Sequence, residues 1–326
     1  MSSIDTSEKL LDLPDGRKLA YCENGDPNST TVVIFLHGLF GVGRADRQMP
    51  AWRDAGVHTV VPTLPGFGNS SDRPKSIPYA VSLAQDISAL LGHLHPDEAN
   101  LRIYVGGGSY GTVGAQILYG LPFDIFPYGK NIVGTMLLAP LSPFRHDKEY
   151  TKGMTWQNWF GVGPPSQLLP FQLLQRVMSL VISMKLNTVE KADVFLRGML
   201  FDKASPEERE AFVQWRSREG IAEGQFEREL AENAVKSIRN WSGFFEAADV
   251  LHSDWGFEPS KLDEEHCKRP ILIVASKDDP LGPHMASWLA ENYKNSQLKW
   301  TAGGHISATW EMDGIWRTFM QGIDGN

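Results

Sequence analysis

One serine in this sequence stands in a setting that favours covalent catalysis. Residues 107–111 read GGSYG, which places Ser109 in a G-x-S-x-G pattern. The run 101–105 before it predicts a buried strand, and the residues from 110 to about 119 predict a helix. Flanking glycines allow a sharp strand-to-helix turn that puts the hydroxyl clear of the sheet. We therefore interpret Ser109 as a nucleophile; a glycine-rich turn with a helix-capping serine is the alternative on this segment alone.

A serine nucleophile needs a base, and His305 is the histidine in the most suitable position. It follows the last predicted strand, 297–301, at the tip of a Gly-Gly-His loop. Other histidines lie in less suitable settings. His93 and His95 form an H-x-H pair at a predicted helix end without companion ligands. That pair is expected to face solvent, and no metal site is predicted.

The base in turn needs a carboxylate that holds its tautomer. Two aspartates, Asp278 and Asp279, follow the predicted strand 270–275. We favour Asp279 because it directly precedes Pro280, in a turn that leads into the next predicted helix. Asp278 stays open as the alternative.

Two backbone amides are predicted to stabilise the negative charge that develops on a carbonyl oxygen under attack. The dipeptide His37-Gly38 follows the apolar run 31–36, and the next amide belongs to Leu39. The amide of Tyr110, directly after the serine, is the second donor. The His37 side chain is interpreted as a structural turn residue.

Alternating strands and helices must position these residues. Continuous apolar runs alternate with helical spacing, which indicates a parallel sheet covered on both faces. The runs that predict strands are a turn and short strand within 13–21, then 31–36, 57–61, 101–105, 132–139, 270–275 and 297–301. Between them, from 142 to 262, the pattern is helical only. The sequence therefore predicts an α/β core from residues 1–141 and 263–326 with an inserted all-helical domain, 142–262.

The predicted insertion is rich in aromatic and apolar residues, which indicates a mainly apolar substrate. Packing of the insertion onto the core is the alternative for each candidate. The candidates to line a substrate pocket are Trp156, Trp159, Phe160, Leu168, Leu169, Phe171 and Met178.

A helix is predicted to start at Ser205, with Glu208 closing a capping box, and to end at Gly220. Charges from 207 to 239 alternate in sign and predict a solvated face.

Composition narrows the class of protein. The chain has 326 residues, is 42% hydrophobic and carries a net charge of −8, which excludes disorder as the main state and non-specific nucleic-acid binding. Two cysteines, Cys22 and Cys267, cannot form a disulfide framework. Residues 1–5 show no signal-peptide pattern, and 168–186 is too polar to span a bilayer. A cytoplasmic protein without stable membrane insertion is therefore expected.

Several motifs together resemble the α/β-hydrolase superfamily, in particular serine hydrolases with a helical cap. The matching stretches are DGRKLAY (15–21), FLHGLFG (35–41), PTLPGFGNSSD (62–72), VGGGSYG (105–111), ILIVASKDDPLGP (271–283) and GGH (303–305). The resemblance implies a mostly parallel eight-stranded sheet flanked by helices, with the cap over the serine. It assigns Ser109, Asp279 and His305 as nucleophile, acid and base, in the chain order of this superfamily. It assigns the oxyanion donors to Leu39 and Tyr110.

The motifs also differ from parts of the superfamily. Thr63 stands where an aspartate is common, and Ser276 where a glycine is common; neither position is catalytic. GGSYG resembles the GGSWG of prolyl iminopeptidases, but HGLFG at 37–41 replaces their HGGPG loop. Epoxide hydrolases and haloalkane dehalogenases of this fold carry an aspartate at the position of Ser109, which argues against both.

The sequence thus predicts a serine hydrolase that cleaves a carboxylic ester of a mainly apolar small molecule through an acyl-enzyme, with no metal or organic cofactor. Three alternatives remain: an aminopeptidase or amidase, a carbon–carbon bond or lactone hydrolase, and a non-catalytic ligand receptor on the same fold.

Overall fold

A sheet of eight strands forms the centre of the computed structural model, which describes residues 7–96, 100–168, 170–202 and 204–325. In chain order the strands are β1 (Lys9–Asp12), β2 (Lys18–Asn24), β3 (Thr31–Leu36), β4 (His58–Pro62), β5 (Arg102–Gly108), β6 (Ile132–Leu138), β7 (Ile271–Ser276) and β8 (Ser296–Thr301). Across the sheet they follow the order β1-β2-β4-β3-β5-β6-β7-β8. The strands β1 and β2 pair antiparallel, and β3 to β8 pair in parallel. The predicted mostly parallel, eight-stranded sheet is confirmed.

The sequence patterns predicted no strand at residues 9–12, where the structure has the edge strand β1. It joins β2 through a turn in which the Leu13 amide donates to the Arg17 carbonyl at 2.8 Å. Its side chains alternate between half-buried and exposed. A four-residue strand with so little buried surface has no apolar run to mark it.

Helices cover both faces of the sheet because alternate side chains of a strand point to opposite sides. In β3, Val32 and Ile34 enter the larger apolar core, and Val33 enters a second core on the other face. The second core also contains Trp52 and Trp316, which belong to the first and last helices. The helices outside the insertion are α1 (Pro50–Asp54), α2 (Tyr79–Leu94), α3 (Gly111–Gly120), α11 (Glu264–Cys267), α12 (His284–Asn292) and α13 (Met312–Asp324).

Between β6 and β7, residues 142–262 form helices and, within the described part of this segment, no strand. These helices are α4 (Trp156–Val162), α5 (Pro165–Leu168), α6 (Leu173–Leu186), α7 (Val189–Leu200), α8 (Pro206–Arg218), α9 (Gln225–Ser237) and α10 (Ser242–His252). A small apolar core joins α6, α7 and α9, with Leu186 and Ala231 fully buried in it. Helix α8 begins after Ser205 and ends just before Gly220, as predicted.

Two acidic residues of the insertion contradict the predicted solvated face. Glu227 and Glu229 of α9 are buried. Glu227 pairs with Arg197 of α7 at 3.0 Å, and Glu229 pairs with Arg47 of the core. Charge alternation at helical spacing indicated solvent exposure, but these carboxylates have arginine partners that are distant in the sequence.

No helix among the described residues combines the length and the apolarity that crossing a bilayer requires.

Candidate active site

Ser109 lies in the turn between β5 and α3, at the carboxyl end of the sheet. Its backbone is left-handed, with φ of 53°, a conformation that costs energy for any residue except glycine. The turn is fixed on two sides, because the Ser109 amide donates to the Leu138 carbonyl at 2.8 Å and its carbonyl accepts from the Thr112 hydroxyl at 2.6 Å. The predicted strand–turn–helix context of this serine is therefore present.

Close backbone approach explains why glycine stands on both sides of the serine. A Cβ at Gly111 would lie 2.1 Å from the carbonyl oxygen of Leu36, at the end of β3. A Cβ at Gly107 would lie 2.4 Å from the backbone of Gly111. Real Cβ atoms cannot come this close, so α3 can start against the sheet only with glycine at both positions.

His305 and Asp279 meet in the loops that follow β8 and β7. The Nδ1 atom of His305 lies 2.7 Å from Oδ2 of Asp279. The other carboxylate oxygen, Oδ1, accepts from the Leu281 amide at 2.8 Å. The Asp279 side chain is 6% exposed and the His305 side chain 20% exposed. An ionised carboxylate can only accept, so Nδ1 carries the proton and Nε2 is left as a base.

The alternative acid, Asp278, has no such contact. Its side chain is exposed, and its backbone amide donates to the Ser276 hydroxyl at 3.2 Å. Within the described structure no hydrogen bond joins Asp278 to His305. The structure therefore brings His305 together with Asp279 and not with Asp278.

Ser109 and His305 both follow parallel strands and so lie at the same edge of the sheet. Their side chains are not hydrogen-bonded to each other among the described contacts. In unliganded enzymes the bond between nucleophile and base is often long and tightens only when substrate binds.

The amides of Leu39 and Tyr110 are free to bind a ligand oxygen. Neither donates a hydrogen bond to any described residue of the protein. The two segments are adjacent, because a Cβ at Gly38 would lie 3.5 Å from the Cβ of Ser109. Tyr110 also directly precedes the first turn of α3, where unpaired amides favour negative charge.

The His37 side chain holds the loop after β3. Its Nδ1 lies 2.7 Å from the Gly38 carbonyl, and its Nε2 accepts from the Leu64 amide at 2.9 Å. Burial lowers the pKa of His37 to about 4, so the ring is neutral at pH 7. Both ring nitrogens are used by backbone groups, which agrees with the predicted structural role.

A sequence model of the alpha/beta hydrolase family matches residues 33–315, most of the chain. This chain belongs to the alpha/beta hydrolase family. Among curated proteins, epoxide hydrolase A of Mycobacterium tuberculosis (strain ATCC 25618 / H37Rv) is 36% identical over 101 residues, which are 31% of this chain and 30% of that protein. The chain thus matches about a third of that relative's length.

Solved structures show the same family fold over nearly the whole chain. A hydrolase from Pseudomonas aeruginosa PA01 is 17% identical, with a TM-score of 0.59 and coverage of 99% of this chain and 100% of that one. An esterase from Exiguobacterium antarcticum is 18% identical, with a TM-score of 0.59 and coverage of 98% and 100%. A bromoperoxidase from Bacillus anthracis is 17% identical, with a TM-score of 0.60 and coverage of 98% and 100%. At these identities the likeness concerns the fold alone.

In this family member, the helical insertion contacts the loops after β3, β4, β7 and β8. The hydrogen bonds that join them are Val42 N to Asn233 Oδ1 (2.6 Å), Gly243 N to Gly66 O (2.8 Å), Thr155 N to Pro280 O (3.0 Å) and Gly304 N to Glu208 Oε1 (3.0 Å). These loops lie at the carboxyl edge of the sheet, as Ser109 does. The insertion therefore packs against the same edge as the candidate catalytic residues.

Five of the residues expected to line a substrate pocket are exposed to solvent. Met178 is half-buried and packs against the main apolar core, and Leu169 lies outside the described residues. The exposed ones are Trp156 (73% exposed), Trp159 (43%), Phe160 (46%), Leu168 (77%) and Phe171 (89%). This exposure favours a surface position for these five side chains.

The H-x-H pair is split between solvent and interior. His93 is exposed, but His95 is buried and its Nε2 lies 2.9 Å from Nδ1 of His58. The expectation that His95 faces solvent is wrong, because the chain turns inward after α2 and meets β4. Within the ranges that the structure describes, no three His, Cys, Asp or Glu side chains cluster closely enough to hold a metal ion.

One residue near the site has a larger role than its sequence pattern indicates. The sequence marks Ser276, at the end of β7, only as a departure from a common glycine. Its hydroxyl donates to the Gly303 carbonyl and accepts from the Asp278 amide. It therefore links the loop that carries Asp279 to the loop that carries His305. In the sequence, the feature that could have indicated this linking role is the position of Ser276 directly after a predicted strand.

A surface cavity of about 420 Å³ lies elsewhere, at the end of α3. Phe123 and His266 line it, and His266 is held by Asp263 and by the Leu121 carbonyl. Helix α11, which carries His266, precedes β7, so this cavity lies toward the amino ends of the strands. We therefore do not assign it to the chemistry of Ser109.

Proposed function

We propose that this protein is a serine hydrolase that cleaves carboxylic esters of mainly apolar small molecules. The observation that carries the proposal is the 2.7 Å contact between His305 Nδ1 and the buried Asp279 carboxylate. In the neutral ring, a proton on Nδ1 leaves the lone pair of Nε2 as the base, at the same sheet edge where the strained turn presents Ser109. The match to the alpha/beta hydrolase family supports hydrolysis as the reaction class.

In the proposed mechanism, His305 Nε2 takes the proton of the Ser109 hydroxyl as Oγ attacks the ester carbonyl. The tetrahedral intermediate collapses and expels the alcohol, which receives that proton from the imidazolium. Water then attacks the acyl-enzyme and gives a proton to His305, and the carboxylic acid leaves as Ser109 is restored. Asp279 stabilises the imidazolium in both halves of the reaction.

The unpaired amides of Leu39 and Tyr110 are proposed to hold the oxyanion. Each such donor contributes about 3–4 kcal/mol to transition-state stabilisation in well-studied enzymes. Because both donors are backbone groups, the proposal does not depend on the chemistry of the Leu39 or Tyr110 side chains.

Substrate recognition is proposed to involve the helical insertion, residues 142–262, acting as a cap. Its contacts with the loops around the candidate site support this role. Met178, which packs against the core, is kept as a proposed pocket residue, whereas the five exposed side chains fit a surface role better. The two free thiols, Cys22 and Cys267, fit a reducing compartment such as the cytoplasm.

The epoxide hydrolase relative raises a specific alternative reaction. That protein matches this chain over 101 residues. The elbow residue here is Ser109, whereas epoxide hydrolases of this fold carry an aspartate at that position. We therefore favour ester cleavage and include an epoxide as a comparison substrate.

A chain-length series of p-nitrophenyl esters tests the proposal, assayed beside proline and alanine arylamides and styrene oxide. We expect turnover of the esters and a loss of about 10⁴- to 10⁶-fold in kcat for Ser109→Ala.

Comparing Asp279→Asn with Asp278→Asn tests the acid. The kcat of Asp279→Asn should fall by at least about 10³-fold, and that of Asp278→Asn should change little. Turnover that survives in Ser109→Ala would refute the mechanism, and a larger loss at Asp278 would refute the assigned acid.

A further inference from the structure

Glu208, in the first turn of α8, binds the His305 loop on both sides of the histidine. Its Oε1 accepts from the Gly304 amide at 3.0 Å and from the Ser307 hydroxyl. Only His305 and Ile306 lie between the two donors. A carboxylate of the insertion thus fixes the backbone that presents the proposed base.

This contact replaces a local one that the sequence predicted. In a capping box, the side chain at the third helical position returns to the amide of the N-cap residue. Here the Ser205 hydroxyl accepts from the Glu208 amide at 3.2 Å, as expected. The Glu208 carboxylate instead makes its hydrogen bonds 96 and 99 residues away. The predicted box is only half formed, because its acid is used by the His305 loop.

The loop is packed closely against the carboxylate. Gly303 has φ of +86°, and a Cβ there would lie 2.7 Å from Oε1 of Glu208. On its other side, the Gly303 carbonyl accepts from the Ser276 hydroxyl. The loop is therefore held between the end of β7 and the start of α8.

The rest of α8 docks on the residues that follow this loop. The rings of Phe212 and Trp215 lie 4.7 and 4.9 Å from the Trp310 ring. Nη2 of Arg218 donates to the Trp310 carbonyl at 3.0 Å. The position of Glu208 relative to His305 is therefore set by a whole helix.

We infer that Glu208 is a positioning residue for His305, through which docking of α8 sets the orientation of the imidazole toward Ser109 and Asp279. This inference rests on the proposed function, because it assigns Glu208 a role in the same reaction. Glu208 acts through the loop backbone. An insertion whose α8 moves away from the core would release the His305 loop and lower turnover.

The test compares Glu208→Ala, Glu208→Gln and the control Glu210→Ala. The amide introduced by Glu208→Gln keeps an acceptor oxygen for both donors, and Glu210 is an exposed residue of the same helix that accepts from Gln214 at 3.1 Å. On the best p-nitrophenyl ester, we expect Glu208→Ala to lower kcat about 10- to 100-fold with KM within about threefold, because a small misplacement of a base costs this much. Glu208→Gln should keep kcat within about threefold, and Glu210→Ala should match the wild type.

A second readout follows the His305 ring directly. The Nδ1 proton held by Asp279 should give a far-downfield ¹H NMR signal, assigned by its absence in Asp279→Asn. We expect this signal to weaken in Glu208→Ala through faster exchange with water, and to persist in Glu208→Gln and Glu210→Ala. If Glu208→Ala does not fold, Ser307→Ala replaces it, with a smaller change in the same direction.

The outcomes separate the two proposals. If the wild type hydrolyses no ester, the proposed function fails, and the NMR comparison still tests the positioning role. If the wild type is active but Glu208→Ala matches Glu210→Ala in kcat and in the NMR signal, the positioning role is refuted alone. A lower melting temperature with unchanged kcat per folded molecule, or a glutamine variant as impaired as the alanine variant, would also refute it.

Discussion

His37 shows how a single buried side chain can organise the candidate oxyanion loop. Its Nε2 must be unprotonated to accept from the Leu64 amide, while its Nδ1–H donates to the Gly38 carbonyl. If Nε2 were protonated, its N–H would face the N–H of Leu64, and two donors would meet without an acceptor. Burial without a compensating charge is the main reason that the pKa of His37 falls to about 4.

This lowered pKa predicts a pH dependence of stability. The unfolded chain takes up the proton near pH 6.5 and the folded chain only near pH 4. The stabilisation from neutral His37 is therefore complete above pH 6.5 and is lost as the pH falls toward 4, by about 3 kcal/mol in total. Urea unfolding from pH 7.5 to 4 should show this loss in the wild type. In His37→Asn the slope over that range should be shallower, and equal slopes would contradict the assignment.

At the scale of elements, α6 presents an unusual division of its surface. Leu173, Val177, Leu180, Val181 and Met184 are all exposed, by 49% to 67%, and their spacing places them on one helical face. Leu186, near the end of the helix, is instead fully buried against α7 and α9. Because α6 has apolar side chains both on its exposed face and in the buried core, residue type alone does not show which of them stabilise the fold.

This division predicts opposite results for two similar substitutions. Leu186→Ala should lower the free energy of unfolding by about 2–4 kcal/mol, because it leaves a cavity in the small core of the insertion. Leu180→Ala should change it by less than about 0.5 kcal/mol, because Leu180 is 67% exposed. Chemical denaturation measures both. A large loss at Leu180 would mean that this face is covered in solution.

At the scale of the whole molecule, ion pairs attach the insertion to the α/β core. Glu246 of α10 is buried, and its carboxylate accepts from Arg73 at 2.7 Å and contacts Lys75. Glu229 of α9 pairs in the same way with Arg47. Arg47 lies in the loop after β3, and Arg73 and Lys75 lie in the loop after β4. Both loops follow strands at the carboxyl edge of the sheet, so these ion pairs attach the insertion at the same edge as the candidate site.

Removing one of these carboxylates should therefore destabilise the whole chain. Glu246→Ala leaves Arg73 partly buried without its partner, and we expect the free energy of unfolding to fall by about 3 kcal/mol. The control Asp12→Ala breaks the exposed pair with Lys18 and should cost less than about 1 kcal/mol. Urea titrations followed by tryptophan fluorescence give both values, and similar small losses would show that Glu246 does not couple the two parts.

The sequence by itself determined the features that depend on near neighbours. The strand runs of β3 to β8, the serine turn with Gly107 and Gly111, and the start of α8 at Ser205 follow from local patterns, since they require only backbone sterics and the alternation of apolar residues. The order of Ser109, Asp279 and His305 along a parallel sheet follows as well, because strand ends share one edge.

Only the tertiary structure decided which distant groups meet. The carboxylate of Glu208 serves Gly304 and Ser307 rather than its own helix start, His95 packs against His58, and Asp279 rather than Asp278 reaches His305. For Glu208 and His95 the local pattern predicted a different environment, and for the aspartates it left two candidates open. The choice depends on which polar group the folded chain encloses, because a buried donor or acceptor must find a partner wherever the fold supplies one.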